Sequence, residues 1–542
     1  MASFSSKLFF LLLTIFYSTT SSFTNSSKSS TTTLHAKISS LRSFCKTTPH
    51  PELCFNSSKL SISITINPTI INILLHSLQL SISETTKLSN QFNNAAQQHS
   101  SIIENKRGVL QDCKELHQST LASLKRSLSG ITSSNTRSLV DARTYLSAAV
   151  TNKNTCLESL DSASGTMKQV LVDSVINTYK YVSNSLSMLP KPEIRASRGR
   201  ENRRLIEAVT WLSRKDRGRF LQSRDDVLVV AADGSGNFST INDAVNFAPN
   251  NSYDRILIYV KEGVYEENVE ILSYKTNIVL LGDGNDVTFI TGNRSAVDGW
   301  TTFRSATLAV SGEGFLARDI SFENKAGPEK HQAVALRVNT DLTAFYKCAM
   351  YGYQDTLYVH SFRQFYRECD IFGTIDYIFG NAAVVFQACN IVSRMPLTNQ
   401  FTVITAQSRD SPDEDTGISI QNCSILATTD LYNNSNNFKS YLGRPWRVYS
   451  RTVFIESYID VFIDPIGWTK WSSSSDKDDQ GLDTLYYGEF ANYGPGSATD
   501  SRVKWLGYHL MDFDSAYNFT VSEFIIGDAW IGSTSFPYDE GI

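Results

Sequence analysis

Several catalytic signatures are missing from this chain of 542 residues. It has no Cys-x-x-Cys pair and no His-Glu-x-x-His. Its second half holds only His331, His360 and His509, with no metal-like cluster. No Gly-x-Ser-x-Gly occurs, which removes a serine elbow. Gly282-Asp283-Gly284 lacks the third glycine of a nucleotide loop and reads as a turn. Long apolar runs are also scarce. Leu8 to Tyr17 follows Lys7 and precedes the small residues Ser18 to Ser22. It is too short to cross a bilayer and reads as a secretory signal spanning 1–24. No later run is long enough for a membrane, and nothing points to nucleic acid.

Charge is unevenly placed under a net charge of -4. Residues 1–221 hold 27 Lys+Arg and 13 Asp+Glu, a net +14; residues 222–542 hold 23 and 41, a net -18. Two halves of opposite sign imply an attraction that salt weakens. From 35 to 187 proline almost vanishes after Pro68. Apolar residues there recur at three and four spacing, as in Leu110, Cys113, Leu116, Leu121, Leu124 and Leu128, which predicts an all-α helical bundle. A basic, proline-marked linker follows over 188–224. It carries candidate cleavage sites at Arg203-Arg204 and at Arg217-Gly218-Arg219. From 225 to 542 the pattern changes to short strands. Sequons at Asn25, Asn56, Asn237, Asn250, Asn293, Asn422, Asn433 and Asn518 are candidate glycan sites, with Asn422 expected to be buried beside Cys423.

The second half contains a repeat. Phe345 to Cys348, Phe365 to Cys369, Val385 to Cys389 and Ile418 to Cys423 align on their cysteines at spacings of 21, 20 and 34, the last implying an inserted loop. A period near 20 with aromatic and β-branched runs predicts a stacked β-coil. Asp355 and Asp376 each lie seven residues after a cysteine and 21 apart. One coil apart, they face each other at about 4.8 Å, so one carboxyl is held neutral. Gln332 and Gln354 can supply amide donors to an oxyanion, and Arg444 can hold one aspartate charged. Cysteines one coil apart suit disulfide geometry, predicting Cys348–Cys369 and Cys389–Cys423.

The motifs Gly263-Val-Tyr265-Glu-Glu267, Gln332-Ala-Val-Ala-Leu336, Gln354-Asp355-Thr-Leu357, Gly373-Thr-Ile-Asp376-Tyr-Ile-Phe-Gly380 and Leu442-Gly-Arg444-Pro-Trp446 resemble those of plant pectin methylesterase precursors. The first half resembles the pectin methylesterase inhibitor domain, through Phe44-Cys45 with Leu53-Cys54, Gln111-Asp112-Cys113 and Thr155-Cys156-Leu157. The resemblance implies a right-handed parallel β-helix after the bundle, and disulfides Cys45–Cys54 and Cys113–Cys156. It implies Asp376 as nucleophile and Asp355 as acid then base. Gln354 and Gln332 would be oxyanion donors, with Arg444 orienting Asp376, and Thr302, Gln332, Arg444 and Trp446 would contact sugar. No metal or cofactor is required. The expected substrate is methyl-esterified homogalacturonan in the plant cell wall. The expected partners are the chain's own N-terminal domain or separate inhibitors, and a subtilisin-like protease cutting at Arg204 or Arg219. An acidic enzyme is expected to be repelled by de-esterified pectin. The chain departs from the family pattern at Tyr377, where phenylalanine is usual. Alternative readings are an inhibitor with a silent coil, or a lyase or galacturonase on the same fold.

Overall fold

Residues 38–64, 70–97, 102–132, 136–191, 227–471 and 481–542 are described by the structure, a computed structural model. The expected signal segment, Arg204 and Arg219 lie outside these residues.

The first unit is a bundle of α1 (Pro51–Ile64), α2 (Ile70–Gln97), α3 (Val109–Thr132), α4 (Thr136–Asp161) and α5 (Met167–Met188). The stripe read from the sequence faces inward on α3, where Cys113, Leu116 and Leu124 are fully buried. They pack with Leu146 and Val150 of α4 and with Val175 and Val182 of α5. Polar groups that enter this core include a bonded set: the Tyr179 hydroxyl meets His117 Nδ1 at 2.8 Å and Thr120 Oγ1 at 2.9 Å. Disulfides join Cys45 to Cys54 and Cys113 to Cys156. The second ties α3 to α4 across 43 residues, a closure worth about 4 kcal/mol of lost chain entropy.

The second unit is a right-handed parallel β-helix of three sheets, with 11, 8 and 7 strands among the described residues. One coil runs through Thr343–Tyr346, Ala349–Tyr351 and Leu357–Val359; the next runs through Arg363–Arg367, Asp370–Gly373 and Ile375–Gly380. In-register pairing stacks like on like. Phe345, Tyr366 and Phe386 form an internal pile with ring centroids 4.8 and 4.7 Å apart, the spacing of the strands themselves. Six successive coils turn their first corner through a left-handed residue, at Asp319, Lys347, Glu368, Ala388, Asn422 and Glu456. The residue after each points inward, giving the ladder Ile320, Cys348, Cys369, Cys389, Cys423 and Ser457.

That ladder corrects the expected pairing of Cys348 with Cys369 and Cys389 with Cys423. All four are buried free thiols. In-register parallel neighbours hold their Cβ vectors side by side at the strand spacing, beyond the roughly 3.8 Å Cβ separation a disulfide needs. Instead Cys389 Sγ accepts from the Cys369 amide and Cys423 Sγ from the Cys389 amide, each at 3.4 Å. Asn422, expected to be buried, is exposed at its corner. The 34-residue spacing resolves into two loops, 394–401 and 408–416, flanking the strand Thr402–Gln407. The two cores are distinct, and the bundle's core extends onto the outer face of the third sheet through Phe303, Ala309, Tyr358, Phe379 and Ala406.

Candidate active site

Along the third sheet the side chains alternate. Leu336, Leu357 and Ile378 point into the coil, while Arg337, Tyr358, Phe379 and Ala406 pair in register on its outer face. Leu357 pairs with Ile378, and each lies two residues after an aspartate, so Asp355 and Asp376 hold equivalent places on adjacent coils. Both adopt the left-handed conformation, with φ of 64° and 52°. The strand that holds Asp376 shifts register between Ile375 and Ile378, a bulge at the aspartate itself. Beneath it, the Tyr377 hydroxyl reaches Ser393 Oγ at 3.0 Å, so the departure from phenylalanine brings its own partner.

The two carboxyls share a cavity of about 240 Å³ with Thr302, Gln332, Gln354, Arg444 and Trp446. The site residues read from the coil sequence therefore converge. Arg444 grips Asp376 with two bonds, Nε to Oδ1 at 2.8 Å and Nη2 to Oδ2 at 2.6 Å. It also lies over the Trp471 ring at 4.4 Å, and Trp471 stacks on Trp446. Burial pushes the Asp355 carboxyl well above its ordinary value, and the neighbouring Asp376 charge adds to this against a weaker pull from Arg444. Burial also raises Asp376, but Arg444 opposes it through charge and hydrogen bonds. The pair is thus split, with Asp355 the proton holder and Asp376 the stabilised anion.

The sequence reading missed Tyr358, Phe379 and Trp471 in the cavity wall. A signal for two of them was present. Tyr358 and Phe379 each lie three residues after an aspartate of the repeat, and their rings stack at 4.2 Å. Trp471 lies off the repeat and carried no such mark.

The cavity is closed on the other side by the bundle. Thr155, Glu158 and Ser159 of α4 line it. Thr155 Oγ1 meets His360 Nε2 at 2.9 Å, and Asn381 donates to Thr151 Oγ1 at 2.8 Å. Asp112 of α3 accepts from Arg304 Nε and Thr301 Oγ1, both at 2.7 Å. Glu115 also binds Arg304, Glu158 binds Arg447, and Asp141 binds Arg363 at 2.9 Å. Arg143 runs the other way, holding Asp415 with bonds of 2.5 and 2.9 Å.

Comparison with known proteins agrees with this architecture. Residues 227–528 match the family model described as Pectinesterase, and residues 39–188 match that for plant invertase/pectin methylesterase inhibitor. The chain is 62% identical to probable pectinesterase/pectinesterase inhibitor 12 of Arabidopsis thaliana over 526 residues, covering 94% of this chain and 95% of the relative. It is 43% identical to pectinesterase 3 of Citrus sinensis, covering 93% and 88%. The solved pectin methylesterase from carrot is similar at 51% identity and a TM-score of 0.57, covering 58% of this chain and 98% of that one. With a family match over more than half its length, on the coil that carries the paired aspartates, the chain belongs to the pectinesterase family of carboxylic ester hydrolases and bears an inhibitor-like domain at its N-terminal side.

Proposed function

We propose that the β-helix hydrolyses the methyl esters of homogalacturonan with Asp376 as nucleophile, and that the helical domain keeps it closed until the linker is cut. The observation that carries this is the split pair in one cavity: Asp376 held by Arg444, Asp355 raised one coil below. Asp376 attacks the ester carbonyl carbon, and the amides of Gln354 and Gln332 receive the oxyanion. Collapse breaks the bond to methoxide, which takes the Asp355 proton and leaves as methanol. The ionised Asp355 then removes a proton from water, whose oxygen attacks the acyl–Asp376 anhydride. Galacturonate departs and both carboxyls return to their starting forms. Thr302 and Trp446 contact the sugar ring. The chain is secreted to the cell wall, and a subtilisin-like protease opens it at Arg204 or Arg219.

Thr155, Glu158 and Ser159 occupy the face a polymer must reach. The full chain is therefore expected to release little methanol from pectin, and the β-helix domain to release it freely. Methanol release that is equal before and after cleavage in the linker would overturn the inhibitory role. A β-helix domain carrying Asp376→Asn that still turns over would overturn the nucleophile.

A further inference from the structure

Each aspartate of the pair is followed by a buried hydroxyl. Asp355 and Asp376 line the cavity, whereas Thr356 and Tyr377 are fully buried, Tyr377 within the coil's own core. Both fit over a glycine that makes room for them. A Cβ on Gly352 would lie 2.6 Å from Thr356 Oγ1, and one on Gly373 would lie 2.1 Å from Tyr377 Cβ. The two stretches share one plan: glycine, two residues, aspartate, buried hydroxyl. Both hydroxyls then reach the end of the second sheet one coil on. Thr356 Oγ1 donates to the Phe372 carbonyl at 2.9 Å, and the Tyr377 hydroxyl meets Ser393 Oγ at 3.0 Å. Ser393 ends the strand Asn390–Ser393 and pairs in register with Gly373. The chain thus places a buried hydroxyl at the rung where the preceding coil has bare glycine.

Asp376 sits where strand pairing gives it least support. Its backbone is left-handed, and it lies on the register shift between Ile375 and Ile378. Arg444 grips the carboxylate with two bonds, but those bonds stay straight only while the Cα–Cβ direction of Asp376 is fixed as well. Asp376 and Tyr377 share one peptide plane. Holding the far end of the tyrosine ring restrains that plane, and with it the direction in which Asp376 leaves the chain. Burial pushes the Tyr377 phenol above its ordinary value, so it stays neutral beside the nucleophile and adds no charge of its own.

We infer that Tyr377 is a positioning residue: its bond to Ser393 holds the peptide it shares with Asp376 and so keeps that carboxylate square to Arg444 and aimed at the ester, as Thr356 does for Asp355. The inference rests on the reading of Asp376 as nucleophile. It gives the hydroxyl at 377, where the family usually has phenylalanine, a part in the reaction without contact to the substrate.

The test uses the β-helix domain (residues 227–542), which has its own core and corresponds in extent to the carrot chain. Tyr377→Phe leaves Ser393 Oγ buried and unpaired, so it is expected to lower the melting temperature. It should also lower kcat about tenfold with KM unchanged, read as methanol release from esterified homogalacturonan. A carboxylate less squarely bonded to Arg444 takes a proton more easily. The acid limb of kcat/KM should therefore rise by about half a pH unit, and the Asp376 carboxyl titration, followed by carbon NMR, should rise with it. Adding Ser393→Ala removes the orphaned hydroxyl and should restore the melting temperature while kcat stays low. A purely structural bond predicts that both recover together. A Tyr377→Phe domain whose Asp376 titration does not move, or a double variant that regains wild-type kcat, overturns the positioning role. A wild-type domain that releases no methanol overturns the esterase reading instead, and the NMR titration then judges the tether by itself.

Discussion

Asp355 and Asp376 have the same residue type, coil position and backbone conformation, yet their surroundings differ. Of the two carboxyls Arg444 hydrogen-bonds that of Asp376, and Asp355 feels the charge that results. The proposed mechanism needs Asp376 ionised and Asp355 protonated at the start. Activity should fall as pH drops through the Asp376 value and as pH rises through the Asp355 value, a bell in kcat/KM. Because Arg444 holds Asp376 down, Arg444→Gln is expected to move the acid limb upward as well as lower the rate. A pH–rate profile with an unmoved acid limb would contradict that role. Asp376→Asn should cost roughly 10⁴-fold or more in kcat, and Gln354→Ala roughly 10²–10³-fold, both measured as methanol release. These residues were legible because the repeat aligned them. Tyr358 and Phe379 were equally aligned, but an aromatic in a β-coil reads first as core, and only the alternation of the third sheet turns them outward.

The coil corner is the element that decides most of the local geometry. A left-handed residue and then an inward side chain recur from Asp319–Ile320 to Glu456–Ser457, and four of those inward places hold cysteine. The spacing announced the ladder but not its chemistry, since stacking at the strand separation satisfies thiols through amides rather than through one another. Thiol titration without reductant is expected to find four groups after denaturation and essentially none before it; two would mean that one pair of the ladder is bonded. Gly380 ends the strand that contains Asp376, at φ 126°. A Cβ there would lie 2.2 Å from the Val359 carbonyl oxygen. Gly380→Ala should therefore destabilise the domain by about 1–3 kcal/mol, read from denaturant unfolding. The inserted loops illustrate the limit of the pattern. Their length followed from the spacing of 34, but not that Asp415 in the second would meet Arg143 of α4.

Across the whole molecule, net charge gives an incomplete account of how the two units meet. Arg143 to Asp415 follows the predicted polarity, whereas Asp112, Glu115, Asp141 and Glu158 bring acids of the basic half to arginines of the acidic half. Closure also has a pH dependence with a definite sign. Burial pushes Asp112 up to about 6 from 3.8, with Arg304 opposing. Its contribution to closure is therefore fully present below about 3.8 and is lost as pH rises through about 6. Burial raises Glu158 and Glu313 as well, with the same sign. His360, lowered by burial and by Arg337, acts oppositely. So does Glu115, which burial would raise but Arg337 and Arg304 pull below its ordinary value. Affinity between the separated domains is expected to fall between pH 4.5 and 7, and Asp112→Asn should remove roughly tenfold of that change. A slope unaltered by Asp112→Asn would remove this residue from the response.

By itself the sequence determined the features that repeat or recur locally: the bundle's apolar stripe, the coil period, the two aspartates one coil apart and Arg444 near them. Each is written within a few turns of chain, where spacing translates directly into contact. Only the tertiary structure decided that α3 and α4 lie over the third sheet, and that Asp112 reaches Thr301 and Arg304 across 189 and 192 residues. Such pairs share no period. They arise when two separately folded surfaces meet, and buried charges that lack partners in their own domain find them in the other.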